Sequence, residues 1–465
     1  MTATLTSQTD HSYRRRLGAL SLAMLLPSLG TSIANVALPT LAAAFEAPFQ
    51  DVQWVVISYL LAVTSLIVGA GRLGDMLGRR KLLLIGIAIF ILASVSCVLA
   101  PNLWALVAAR GVQGLGAAIM MALTIASVGD MVPKDRTGSA MGLLGTVSAV
   151  GTALGPSLGG ALIAWFGWQA VFVVMAGAGG VAFLVGQQVF PADAPVARRP
   201  FTFDVAGMLL LAASLGAYAL STTLGGGAFG AINAILGGLS LIGLLGFVVL
   251  ESRVIDPLVQ LRLLRDRSLQ SGLASMALVS TIVMATLVVG PFYLSGVLKL
   301  APVEVGLVMS IGPAVSALTG VPAGRLVDGF GTFVVMVIGL IGLMVGACLM
   351  TILPGMLGGL GYACSLVLVT AGYALFQAAN NTAVMNSAEQ DRRGVTSALL
   401  GLSRNLGLIT GASAMGALFA YGSKGVEVLG LAAGGESGLR LTFAIAAAFA
   451  GLSFAITLWG NLRPR

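Results

Sequence analysis

The sequence predicts an all-α polytopic membrane protein of fourteen spans, arranged as two six-helix bundles with two extra helices inserted between them. Three observations lead there. Charged residues make up 9% of the 465 and hydrophobic residues 57%, with a mean hydropathy of +0.99, whereas a soluble domain carries about a quarter charged residues. A helix needs roughly 20 apolar residues to cross about 30 Å of hydrocarbon, and the chain offers fourteen such stretches. Finally, GRLGDMLG at 71–78 returns as GRLVDGFG at 324–331. The preserved GRLxDxxG marks a doubled unit, the plan on which many secondary transporters are built. A second echo agrees: Asp135-Arg136 with Gly145, Gly151, Gly155 and Gly160 matches Asp391-Arg392 with Gly401, Gly407, Gly411 and Gly416.

In chain order, the first bundle (1–190) holds apolar stretches at 17–39, 53–71, 82–100, 103–129, 138–163 and 169–190. Arg14-Arg15-Arg16 ahead of the first stretch imitates a signal peptide, but the stretch is long and more spans follow, so it reads as a retained anchor. The inserted unit (191–268) opens on a polar linker with Pro191, Pro195 and Pro200, spans at 205–224 and 231–250, and closes on the charged run 251–268. The second bundle (269–465) spans at 270–295, 303–324, 333–353, 357–386, 394–421 and 440–460. No extramembrane segment exceeds about 20 residues, so any site belongs inside the helical bundle.

The net charge of +8 has a location. With the amino terminus in the cytoplasm, nearly every Lys and Arg falls on that side, and only Lys299, Lys424 and Arg440 fall on the other. This positive-inside pattern predicts a multi-pass protein of the cytoplasmic (inner) membrane with both termini cytoplasmic. It makes the surplus a record of topology and removes nucleic acid as a partner. Cys97, Cys348 and Cys364 lie within spans and read as packing residues. One histidine and scattered carboxylates supply no metal set, cofactor site or catalytic cluster, so the chain does not read as an enzyme. It also lacks the GxxxxGK[ST] loop of an ATP-driven pump.

Several residues carry mechanism. Gly71 and Gly78 are expected to turn the chain between spans two and three, with Arg72, Arg79 and Arg80 free to pair with Asp75 or with lipid phosphate. Arg325 and Asp328 repeat the pattern, which suggests a cytoplasmic charge lock that closes in one state and separates in another. Arg110 is a cation deep in a span. Its cost of roughly 2.5–3.5 kcal/mol on an insertion scale requires a cavity or a buried partner, one option being a clamp on carbonyls of the first span. Arg404 poses the same question nearer a span end, where it could snorkel. Gly151, Gly155 and Gly159 make a smooth helix face and Pro156 bends it. Ala412 holds the equivalent place in the second half, so the bend is expected on one side only. Asn35, Tyr59, Gln113, Phe292, Tyr293, Tyr373, Gln377, Asn380 and Asn381 are the candidate cavity wall, where each either orients an amphiphile or ties helices together.

Taken in order, these motifs resemble the major facilitator superfamily, and within it the fourteen-span drug:proton antiporter branch. GRLGDMLGRR resembles the family's loop motif, RGVQGLGA at 110–117 its fourth-span motif, and GTALGPSLGG at 151–160 its fifth-span antiporter motif. Branch features are NVALP at 35–39, Asp204 with Gly207, and Asp256-Pro257-Leu258 with Leu261-Arg262-Leu263. The resemblance implies a monomeric secondary exporter of a small amphiphile or drug, surrounded by lipid, working by alternating access and coupled to protons. It also implies that Arg110, Asp130 and Arg404 take part in coupling. One departure stands out. The branch carries an acid in the pattern LDxTxxNVALP, and here Gly30 holds that place. No Asp, Glu or His lies deep in any span, so proton coupling would have to use Asp75, Asp130, Asp204 or the substrate itself. The expected cargo is therefore neutral or anionic, and a facilitative or uptake carrier on the same fold is the rival reading.

Overall fold

The computed structural model describes residues 2–131, 137–190, 204–224, 230–254, 266–387, 393–424 and 434–461. Fourteen helical spans are present among them: α1 (Thr2–Ala44), α3 (Trp54–Leu77), α4 (Arg79–Val98), α5 (Leu103–Met131), α6 (Thr137–Phe166), α7 (Gln169–Val189), α8 (Val205–Thr223), α9 (Ala231–Glu251), α10 (Arg267–Gly296), α11 (Pro302–Phe330), α12 (Thr332–Met350), α13 (Leu353–Ser387), α14 (Arg393–Thr410) continued by α15 (Gly416–Ser423), and α16 (Gly435–Asn461). A one-turn helix, α2 (Phe49–Val52), precedes α3. The membrane explains this economy: without water, every backbone N–H and C=O must be satisfied within its own segment, which a helix does. Cys97 is buried as expected, whereas Cys348 and Cys364 are exposed on apolar helices.

The duplication seen in sequence is a duplication of packing. In the first bundle α5 packs on α3 and α4, α1 packs on α6, and α7 packs on α4 and α1. The second bundle repeats this with α13 on α11 and α12, α10 on α14, and α16 on α12 and α10. Glycines set the close approaches. Gly114 sits against the Tyr59 backbone, Gly116 against Gly86, and Gly339 against Gly372. Each leaves no room for a Cβ, so helix axes approach where larger residues would hold them apart.

The GRLxDxxG segments are mostly helix, which corrects the expectation of a loop. Gly71 and Gly324 are helical, and the turn is confined to Gly78 (φ 93°) and Gly331 (φ 81°). Their N–H groups close onto the carbonyls of Gly74 and Val327 at 3.0 and 2.9 Å, so the helical ladder persists to the last residue of the motif. Since that backbone region is open essentially to glycine alone, Gly78→Ala and Gly331→Ala are each expected to cost about 1–3 kcal/mol. A lowered melting temperature of the purified protein in detergent checks this, and an unchanged one refutes it.

The second half also departs from a regular α-helix. Pro156 interrupts α6; in the second half, where Ala412 replaces it, the chain forms a π turn at Gly411–Met415 between α14 and α15. Both halves therefore break the regular helical ladder at matching positions, one by a missing N–H donor and the other by an extra residue in the turn.

The inserted helices form a hairpin. Asn233 ties the start of α9 to the end of α8, its Nδ2 donating to the Ser221 and Leu224 carbonyls at 2.8 Å each. Asp204 caps α8 by accepting the Gly207 N–H at 2.7 Å. α8 then lies against α3, the π turn and α15. Trp54 Nε1 donates to Thr223 Oγ1 at 3.1 Å, and Tyr218 lies against Thr410 and Ser413. α9 packs on α8 and turns Ile232, Ile235, Leu239 and Ile242 outward, as a lipid-facing helix does.

Candidate functional site

At the centre of the first bundle, Arg110 of α5 is fully buried. Its Nε donates to the Val55 carbonyl and its Nη2 to the Gly30 carbonyl, both at 3.0 Å. Nη1 donates to Oε1 of Gln113, one turn along. Gln113 Nε2 donates to Ser94 Oγ at 2.6 Å, and Ser94 donates to the Phe90 carbonyl. The guanidinium stacks over Tyr59, 4.2 Å from the ring centroid, while the Tyr59 hydroxyl donates to the Pro27 carbonyl. Four spans thus converge on one cation, and no carboxylate pairs with it among the described residues. A buried charge held by neutral acceptors keeps its full sign, because carbonyl dipoles solvate it without cancelling it.

This arrangement places Tyr59 and Gln113 as partners of Arg110 and not on a cavity wall. It also shows what Gly30 does: a Cβ there would stand 3.1 Å from the Tyr59 hydroxyl. Asn35 is wholly buried, with Nδ2 donating to the Thr31 carbonyl at 3.1 Å and Oδ1 unpartnered. Ser94 escaped the sequence reading. Its one signal is a hydroxyl in an otherwise apolar helix.

At the end of the molecule away from the GRLxDxxG segments, the bundles meet tightly. A Cβ on Gly160 of α6 would stand 2.9 Å from Gly306 Cα and from the Pro302 carbonyl oxygen of α11. One on Gly306 would stand 2.8 Å from the Pro156 carbonyl oxygen. Gly151, Gly155 and Gly159 face α1 at Leu25, Ser32 and Ile33, so the antiporter-like stretch seats one helix on two neighbours. Gly306 was missed, although Pro302 and Gly306 repeat the four-residue spacing of Pro156 and Gly160. α2 adds a plug: Phe49 meets Phe292 edge-on at 4.3 Å and Phe419 at 5.5 Å, and buried Gln53 abuts Gly416. Phe292 therefore seals this end, and Tyr293 stacks on buried Tyr362 at 6.2 Å.

At the opposite end no glycine of the described residues makes such a contact between the bundles. Gly71, Gly324 and Gly401 border open space. Arg79 donates to the Ala126 carbonyl at 2.9 Å and Arg80 to the Gln187 carbonyl at 2.8 Å, which fastens the start of α4 to α5 and α7. Arg325 and Asp328 are exposed on α11. The side chains of Arg72, Asp75 and Asp130 lie outside the described residues. On α13, Tyr373, Gln377 and Asn381 follow one another at four-residue spacing, with Gln377 Nε2 donating to the Tyr373 hydroxyl at 3.1 Å and Asn381 Oδ1 unpartnered. Asn380 turns elsewhere, its Nδ2 donating to the Gly272 carbonyl at 3.1 Å. Arg404 on α14 is half-buried, and its Nε has no hydrogen-bond partner.

Comparison with known proteins places this geometry. The profile of the Major Facilitator Superfamily matches residues 20–412. The chain is 32% identical over 406 residues to the multidrug resistance protein Stp of Mycobacterium tuberculosis, covering 86% of this chain and 75% of that one. It is 29% identical over 408 residues to the riboflavin transporter RibZ of Clostridioides difficile, with 86% and 87% covered. Among solved structures it resembles a bacterial homologue of the human lysosomal transporter Spinster, captured inward-facing and unoccupied. The TM-score is 0.68 at 16% identity, with 98% and 99% of the two chains covered.

Proposed function

Because the chain belongs to the Major Facilitator Superfamily, a family of multi-pass transporters and not of enzymes, we propose that it exports a small amphiphile across the cytoplasmic membrane by alternating access. The positive-inside pattern supports a cytoplasmic GRLxDxxG end, and with that orientation the tight α6–α11 contact at Gly160 and Gly306 lies on the outer side, where it supports a carrier closed to the outside. The partly buried Tyr373, Gln377 and Asn381 stripe on α13 suits the cavity wall, where a few polar groups orient an otherwise apolar ligand. Proton exchange supplies the driving force in this reading. The similarity to Stp supports export of drug-like molecules.

One arrangement supports a reading of the cargo. Arg110 holds an uncancelled positive charge, and Gly30 stands where the resembling branch carries an acid. A neutral or anionic amphiphile is favoured over a lipophilic cation, since the nearest deep charge repels the cation. The relative RibZ, named for a flavin, supports that preference and also the rival reading of a facilitative or uptake carrier.

A counterflow screen on reconstituted protein, with neutral, anionic and cationic amphiphiles at two pH values, tests these points. Uptake of anionic and neutral compounds at least about tenfold faster than cations is expected, equivalent to about 1.4 kcal/mol, with Gly30→Asp narrowing the gap by placing a carboxylate in this cluster. Preference for cations in the unaltered protein overturns the charge assignment. Accumulation indifferent to an imposed pH gradient overturns proton coupling and favours the facilitative carrier.

A further inference from the structure

The two seams between the bundles at the end away from the GRLxDxxG segments are related by the repeat, and they are built differently. The offset that carries Gly71 onto Gly324 carries Gln53 onto Gly306, and Gly160 corresponds to Gly416. On the α6–α11 side, Gly160 and Gly306 meet backbone to backbone. On the α3–α14 side, at the start of α15, Gly416 meets the carboxamide of Gln53, whose Nε2, Cδ and Oε1 crowd the point that a Gly416 Cβ would take. One seam is closed by two glycines, the other by a glycine and an amide.

That amide is wholly buried, and neither its Nε2 nor its Oε1 has a hydrogen-bond partner. It does not serve α3 either: Gln53 holds the N-cap position, yet its side chain makes no capping bond. Its neighbours along the chain are apolar. Val52 is fully buried, and one turn earlier Phe49 lies against Phe292 and Phe419 of the second bundle at 4.3 and 5.5 Å. A carboxamide offers two donors and an acceptor, and leaving them unmade in a dry contact costs free energy that water would return. The cost falls only on the state in which this seam is shut. Once the bundles part at this end, the amide meets water.

Resting on the alternating-access reading above, we infer that Gln53 is a spring in the outer gate: its unpaired amide destabilises the outside-closed state and returns the carrier toward the outside-open one. The Gly160–Gly306 seam supplies the opposing closure, since backbones in van der Waals contact hold two helices together without burying a polar side chain. A carrier visits both states in every cycle, so a large bias of either sign slows it. Gln53 keeps the glycine closure from becoming a trap.

The test uses the full chain in proteoliposomes, with spin labels at Glu46→Cys and Lys299→Cys in a cysteine-free background. These two are exposed repeat counterparts, one on each bundle at this end, and pulsed dipolar spectroscopy reads the gap between them. The otherwise unaltered protein is expected to show a short and a long distance. Gln53→Met keeps the reach of the side chain and removes its polar groups. It should raise the short-to-long ratio at least about tenfold, equivalent to about 1.4 kcal/mol, while raising the melting temperature and slowing transport. Gln53→Glu puts an unpaired charge at the same point and should lower the ratio. Ratios unmoved in both variants, or a lower ratio or melting temperature with Gln53→Met, overturn the inference and leave alternating access standing, because both distances persist. A single distance in protein that still transports overturns that reading and the spring with it.

Discussion

Arg110→Ala is expected to bring transport per folded molecule down at least about 100-fold and to lower stability by roughly 3–5 kcal/mol. Charge-assisted hydrogen bonds contribute about 1.5–3 kcal/mol each, and the substitution removes those to the Gly30 and Val55 carbonyls and leaves Gln113 Oε1 without its donor in a dry interior. Because α1, α3, α4 and α5 are all tied to this cation or to Gln113 beside it, their relative positions depend on it. Arg110→Lys keeps the charge but cannot span three acceptors, so it should recover part of the stability and little of the transport. Initial rates in proteoliposomes, divided by the folded fraction, are the measurement. If Arg110→Ala loses stability but keeps its rate per folded molecule, the residue is a structural clamp and has no part in coupling.

Gly160→Leu is expected to have a comparable effect on transport through a different route. The Gly160 and Gly306 backbones meet with no space for a Cβ, so a leucine must push α6 and α11 apart at the far end. Forcing even one extra methylene into a packed contact costs about 1–3 kcal/mol, and four added carbons exceed that. A two-state carrier biased by several kcal/mol shifts its populations a hundredfold or more. Transport should fall to background, while maleimide labelling at Val303→Cys, in a cysteine-free background, should speed up. Wild-type transport by Gly160→Leu refutes a moving seam. Lost transport with unchanged labelling marks a folding defect in place of a conformational one.

The fold was legible because the membrane imposes a ruler: apolar runs of about 20 residues permit one structure, and repeated motifs tell which runs correspond. What stayed hidden follows from the same physics. Arg110 was conspicuous as a deep cation, yet two of its partners are backbone carbonyls, and every residue has one, so nothing in the letters marks Gly30 and Val55 as acceptors. Tyr59 and Gln113 were legible as polar groups at the right depth, but whether they face a cavity or a cation depends on helix rotation. Glycines suggest turns, and Gly71 remains helical because its ladder partners are in place. The π turn at Gly411–Met415 has no proline to announce it. Its position was recoverable only through the repeat, which makes it the counterpart of Pro156.

The hairpin of α8 and α9 has a consequence for traffic within the bilayer. A carrier of amphiphiles can be loaded sideways, by solutes already dissolved in lipid that slip between the bundles. The bundles meet along two seams related by the repeat, α6 with α11 and α3 with α14. α8 stands in the second, attached to α3 through Trp54 and Thr223 and to the π turn through Tyr218. In the transport reading proposed above, lipid-borne solutes are therefore expected to be turned away at the α3–α14 side, so that the inserted hairpin makes a two-fold repeated protein one-sided toward the bilayer.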